Sequence, residues 1–278
     1  MTAPTPTPVP PPPYGYVSPI PVRRAHLGDA LASEWTKIRS VRATMWTLGT
    51  MILLMLGIGL SVAAIAAGEG GGMSEESALP LGFFGMLPAS ICVITLGVLT
   101  ISSEYGTGMI RTTLTACPSR SRVLTAKAIV FFLLVFTVTL VVAFVVATAQ
   151  VAMVDAAEPT GAEWARATVG AAGFMAVLGL LSMAVGALVR HSAGAITVMI
   201  GVLLLPLVAA LFMFAPALKG LQEVLFTYSV PSQMIALYSA QPPFGEGGPA
   251  GWEALFILTG IAAVALGGAY ALLNSRDV

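Results

Sequence analysis

Residues 104–127 read EYGTGMIRTTLTACPSRSRVLTAK, a polar island between two long apolar runs. The island holds four basic residues, Arg111, Arg120, Arg122 and Lys127, and three breakers, Gly106, Gly108 and Pro118. Its neighbours decide the fold. Leu81–Ser103 lies upstream and Ala128–Val154 downstream, and neither contains an Asp, Glu, Lys, Arg or His. Each reaches the ~20 residues that cross a hydrocarbon core of about 30 Å. Backbone polar groups in that core must be satisfied internally, so both runs are expected to be helices.

Four more runs of the same kind follow this rule: Ala43–Ala67, Ala167–Val189, Ala193–Ala217 and Ala254–Leu273. Of the 278 residues, 57% are hydrophobic and 9% charged, against about 25% charged in a soluble domain. The expected fold class is all-α, a polytopic membrane protein of six transmembrane helices. The charged segment ahead of the first run is too long for a cleaved signal peptide, so that run reads as an uncleaved helix. Cys92 falls in an apolar run and Cys117 in the island, a placement that argues against an internal bridge.

Residues 1–22, MTAPTPTPVPPPPYGYVSPIPV, are Pro-rich and cannot bury a core. They read as a disordered cytosolic tail, residues 1–25, ahead of one six-helix domain, residues 26–278. Residues 26–42, HLGDALASEWTKIRSVR, have helical period, with Leu27, Leu31, Trp35 and Ile38 on one face. That pattern fits an amphipathic helix in the membrane interface with Trp35 at headgroup level; a plain extension of the first span is the blander reading.

Lys and Arg set the orientation. Eleven fall on one side (Arg23, Arg24, Lys37, Arg39, Arg42, Arg111, Arg120, Arg122, Lys127, Arg190 and Arg276), and two, Arg166 and Lys219, on the other. Basic residues mark the cytoplasm, so both termini and the island are expected there. The segment 218–253 lies outside and has apolar clusters at Leu225–Tyr228 and Met234–Tyr238. These suggest short helices dipping back into the outer leaflet under protein cover. Pro88 and Pro206 fall inside the second and fifth runs, where proline kinks a helix.

Several chemistries are missing. The three lysines follow Thr36, Ala126 and Leu218, so no Gly-Lys P-loop exists. No run carries an ionisable group of the kind a proton relay keeps at membrane depth. His26 and His191 make no metal cluster, and no nucleophile motif surrounds Ser182. The bundle has neither a visible energy source nor a catalytic group. It is passive, or something else drives it.

Within the island, Glu104 and Tyr105 end the second span, and Gly106 and Gly108 allow a sharp turn. Met109–Ala116 can form a short helix that Pro118 stops, and Ser119–Ser121 can cap the next span. Arg120, Arg122 and Lys127 are then expected at headgroup level. The product is a helix lying along the membrane, joined to spans two and three. It is either a device that receives a push or a solvated basic loop that sets topology.

ASEWTKIRSVRATMW and SSEYGTGMIRTTLTACPSRSRVLTAK resemble the corresponding segments of type-2 ABC-transporter permeases, particularly actinobacterial ones. The second stretch shares Glu-Tyr, a following Gly, Arg-Thr-Thr-Leu, Pro-Ser-Arg and a terminal Lys; Met109 departs from the threonine common there. The likeness covers the layout of residues 30–278. It implies a six-helix exporter subunit in a bacterial plasma membrane, paired with a second permease copy or paralogue and with a separate cytosolic ABC ATPase. It also implies that Glu34, Lys37, Glu104, Tyr105, Gly108, Arg111 and Arg120 couple to that ATPase. ATP and magnesium would bind the partner, with no cofactor, catalytic residue or metal in this chain. Membrane lipids are expected partners and nucleic acid is not. The rival readings are a non-transporting membrane sensor, whose basic island holds lipid or a regulator, and an intramembrane enzyme.

Overall fold

A computed structural model describes residues 26–68, 77–116, 119–243 and 247–275. The Pro-rich tail, Cys117 and Arg276 lie outside the described residues. The described chain is helical, and six helices are long and apolar enough to cross a membrane. They are α2 (Arg42–Gly68), α3 (Gly82–Gly106), α5 (Arg120–Met153), α7 (Ala171–Val189), α8 (Ser192–Leu211) and α11 (Trp252–Ser275). A short helix α1 (Leu27–Ser40) precedes them, and α4 (Met109–Ala116) joins α3 to α5. α6 (Gly161–Ala165) runs through a π-turn, Arg166–Gly170, straight into α7. α9 (Lys219–Thr227) and α10 (Val230–Tyr238) separate α8 from α11.

α7 is the central post. Phe174, Met175, Leu178 and Met183 are fully buried on it, and α3, α5, α8 and α11 all pack against it. The main core adds Met51 and Met55 of α2, Val93 and Ile94 of α3, and Phe131 and Val135 of α5. In a bilayer apolar burial alone does not drive helices together, so close approach through small residues matters more. At the α3–α7 crossing a Cβ on Gly97 would strike the Gly179 carbonyl oxygen. A Cβ on Gly179 would come within 2.5 Å of the Phe131 ring.

The island folds as its residues suggest. α3 ends at Gly106, and Gly108 takes φ 71° to turn the chain into α4. Ser119 caps α5, its hydroxyl oxygen accepting from the Arg122 N–H at 3.4 Å. Losing an N-cap costs about 0.5–2 kcal/mol. Ser119→Ala should therefore lower the melting temperature modestly, leaving the α-helical circular dichroism of the bundle intact.

One span ends earlier than expected. α8 stops at Leu211, six residues short of Ala217. Pro216 bars the expected length: the residue before a proline avoids the helical region, and Ala215 is extended at φ −77°, ψ 128°. α5 begins at Arg120, so its first two turns carry the island's charges. The two short helices expected in 218–253 are present. α10 is largely buried against the bundle, whereas α9 buries no residue. Pro88 and Pro206 lie inside α3 and α8.

Candidate functional site: a buried charge ring at the island end

α1 packs on the bundle through Glu34 and Ile38. The face expected to be apolar is split: Leu27 and Trp35 are exposed, with Arg39 stacked over the Trp35 ring at 6.0 Å. The inward face mixes Ile38 with Glu34 and Lys37, whose charges have partners waiting. Glu34 and Lys37, one turn apart, meet Glu104 from the last turn of α3 and Lys127 from the second turn of α5.

The four charges alternate in a ring. Lys127 Nζ donates to Glu34 Oε2 at 2.6 Å and to Glu104 Oε1 at 2.9 Å. Lys37 Nζ donates to Glu34 Oε1 at 2.8 Å and to Glu104 Oε1 at 3.0 Å. Its third contact is Thr113 Oγ1 of α4 at 3.4 Å. Two acids face two bases, so the ring is formally neutral. Glu34, Glu104 and Lys127 are 3%, 5% and 2% exposed, so none can be removed without leaving its neighbours charged and dry.

Burial alone would lower the Lys37 pKa, but the Glu34 and Glu104 carboxylates outweigh it and hold the ammonium above the ordinary lysine range. Its share of the stability is therefore full at neutral pH and is lost only as pH rises beyond that range. Between pH 6 and 9 the melting temperature should show no step from this group; a loss of stability near pH 8 that Lys37→Met abolishes would contradict the assignment.

Lys127, expected at headgroup level, is buried there against partners: it turns inward and closes the ring. A lysine two turns inside a long apolar helix needs an acid partner at that depth, and Glu34 and Glu104 were the acids nearest the predicted spans on that side. That signal could have found it. The other expected residues are placed more loosely. The Tyr105 ring lies 5.1 Å beneath the Arg190 guanidinium, and its hydroxyl is buried with no partner among the described residues. Arg190 ends α7 in the left-handed region at φ 57°, an uncommon conformation for a side-chain-bearing residue. Arg120 reaches away from α1: its Nη1 donates to the Leu273 carbonyl of α11 at 2.8 Å. Thr125 and Tyr270 hydroxyls, 2.8 Å apart, make a second tie between α5 and α11. Gly108 is exposed at the turn, and Arg111 sits on α4 with its side chain outside the described set.

The ring thus fastens two short helices, α1 and α4, to two spans, α3 and α5. Among the described residues no cluster of His, Cys, Asp or Glu could hold a metal. One polar network holds these four helices together at the island end. The family described as ABC-2 family transporter protein matches residues 30–185, more than half of the chain and all four members of the ring. The chain belongs to the ABC-2 transporter family. It is a multi-pass membrane protein and a non-catalytic transport subunit, as members of that family are. No curated protein matches the chain.

Proposed function

We propose that this chain is the permease subunit of an ATP-driven exporter in a bacterial plasma membrane, worked from the cytosol by a separate ABC ATPase. The observation that carries the reading is the charge ring, which ties α1 and α4 to spans α3 and α5. Both termini and the island face the cytosol in this reading, following the eleven-to-two division of basic residues. α1 lies in the interface and α4 is the coupling helix; α9 and α10 form a re-entrant cover on the outer side. A second copy or a paralogue completes the pathway along α3 and α8, where Pro88 and Pro206 shape the helices. The weakly charged lining suits a hydrophobic or amphipathic substrate.

The seven coupling residues divide by placement. Gly108 and Arg111 belong to the surface that meets the ATPase, beside the exposed Thr112 and Thr115 of α4. Glu34, Lys37 and Glu104 lie behind that surface and transmit its displacement. Tyr105 and Arg120 tie the joint to the ends of α7 and α11. A partner can shift the bundle only by binding its two states unequally, and ATP binding to the ATPase supplies that difference.

Acidic replacement of the α4 surface, Thr112→Glu with Thr115→Glu, should weaken co-purification with the co-expressed ATPase at least ten-fold while the permease stays inserted. Undiminished association would exclude α4 as the docking element.

A further inference from the structure

Beside the ring is a crevice of about 430 Å³, within the 300–1,000 Å³ range of small-molecule sites. Val41 and Thr47 form one wall, at the corner between α1 and α2. Leu99, Thr100 and Ser103 of α3 form the other, with Leu96 at its base. Glu34, Lys37, Glu104 and Lys127 line it toward the island, with Thr107 and Met109 at the turn into α4. The crevice is therefore apolar along its length and charged at one end.

The polar atoms of this site have a bias. The Thr47, Thr100 and Ser103 hydroxyls donate to the carbonyls of Ala43, Leu96 and Leu99 at 2.8, 2.7 and 2.6 Å. Each hydroxyl has one proton to give, so each now offers only lone pairs. The Lys37 ammonium is engaged by Glu34, Glu104 and Thr113. Glu104 Oε2 is buried and has no hydrogen-bond partner among the described residues. A buried carboxylate oxygen left bare is costly and calls for a donor. The three hydroxyls and Glu104 Oε2 leave acceptor lone pairs beside a slot shaped for a chain.

We propose that the crevice binds a phospholipid with a primary-ammonium head, an ethanolamine phospholipid of the leaflet at the island end. Its ammonium N–H groups are directed to Glu104, and one acyl chain lies between α2 and α3. A quaternary choline head has no N–H to give, and a glycerol head has no cation to set against the Glu104 carboxylate. The bound lipid wedges the corner where α1 turns into α2, immediately beside the joint. The inference requires the spans to lie in a bilayer; it does not require the chain to be a permease.

The test uses the full chain in nanodiscs and three photoreactive lysophospholipids of one acyl chain, bearing ethanolamine, choline or glycerol heads. The ethanolamine probe should label peptides containing Val41–Thr47 and Leu96–Ser103 at least five-fold more than the other two. Ser103→Phe, which fills the crevice from its open wall, should cut that labelling about ten-fold without lowering the melting temperature. Thr47→Phe does the same from the opposite wall if Ser103→Phe fails to fold. Glu104→Gln should keep the chain in place and lose the preference among heads. Equal labelling by all three probes, labelling confined to other peptides, or full labelling of a folded plugged variant would each overturn the proposal. None of these outcomes depends on ATP or an ATPase, so failure here leaves the permease reading standing.

Discussion

Lys127→Met should destabilise the protein by about 3–5 kcal/mol, the range for breaking a buried ion pair by removing one partner. The size follows from what is left behind. Glu34 Oε2 and Glu104 Oε1 lose donors at 2.6 and 2.9 Å, and both carboxylates remain almost fully buried. One lysine, Lys37, must then hold two acids. Methionine matches the length of the lysine stem, so the loss is electrostatic rather than a cavity. The intact ring is itself a weak source of stability, because desolvating four charges offsets most of their attraction. This gives a second expectation: Lys127→Met with Glu34→Gln restores neutrality and should recover part of the loss, by roughly 0.5–3 kcal/mol of coupling. Denaturant titration of the purified subunit in micelles measures both. Strict additivity of the two changes would show that the charges do not act as a unit.

The second large effect lies in the centre of the bundle. Gly97→Val should prevent α3 from seating on α7, because its Cβ meets a backbone carbonyl, that of Gly179, which no rotamer change can move. Overpacking of side chains costs about 1–3 kcal/mol, and a clash with backbone exceeds that, so little folded protein is expected. Gly57→Val is the control. A Cβ at Gly57 of α2 meets nothing within 4 Å, so this variant should express and melt like the parent. Equal behaviour of the two would mean that α3 and α7 do not approach as closely as their glycines allow.

The six spans were legible because each is an uninterrupted apolar run whose length alone sets its role. The island was legible too: Gly106, Gly108 and Ser119 specify a turn and a cap by local chemistry. What escaped was the direction of side chains across elements. Glu34 and Lys37 turn inward beside Ile38 because Glu104 and Lys127 answer them from helices 67 and 90 or more residues away. Trp35, assigned to the apolar face, points outward for the same reason. The early end of α8 was readable from Pro216 and was outweighed by the apolar residues around it. The tie from Arg120 to the Leu273 carbonyl had no local signal, since a backbone acceptor is the same in every residue.

The central claim is that the ring passes motion between the cytosolic helices and the spans. Glu104→Gln tests it most directly. The change keeps the shape of the side chain whose Oε1 receives both lysines and removes its charge. The measurement is the transport-linked ATP turnover of the co-expressed ATPase bound to this subunit in liposomes, with assembly of the complex verified first. The account predicts that the complex forms and that its turnover no longer responds to transport substrate, while the parent responds. Turnover in the assembled Glu104→Gln complex that follows substrate as the parent does would contradict it.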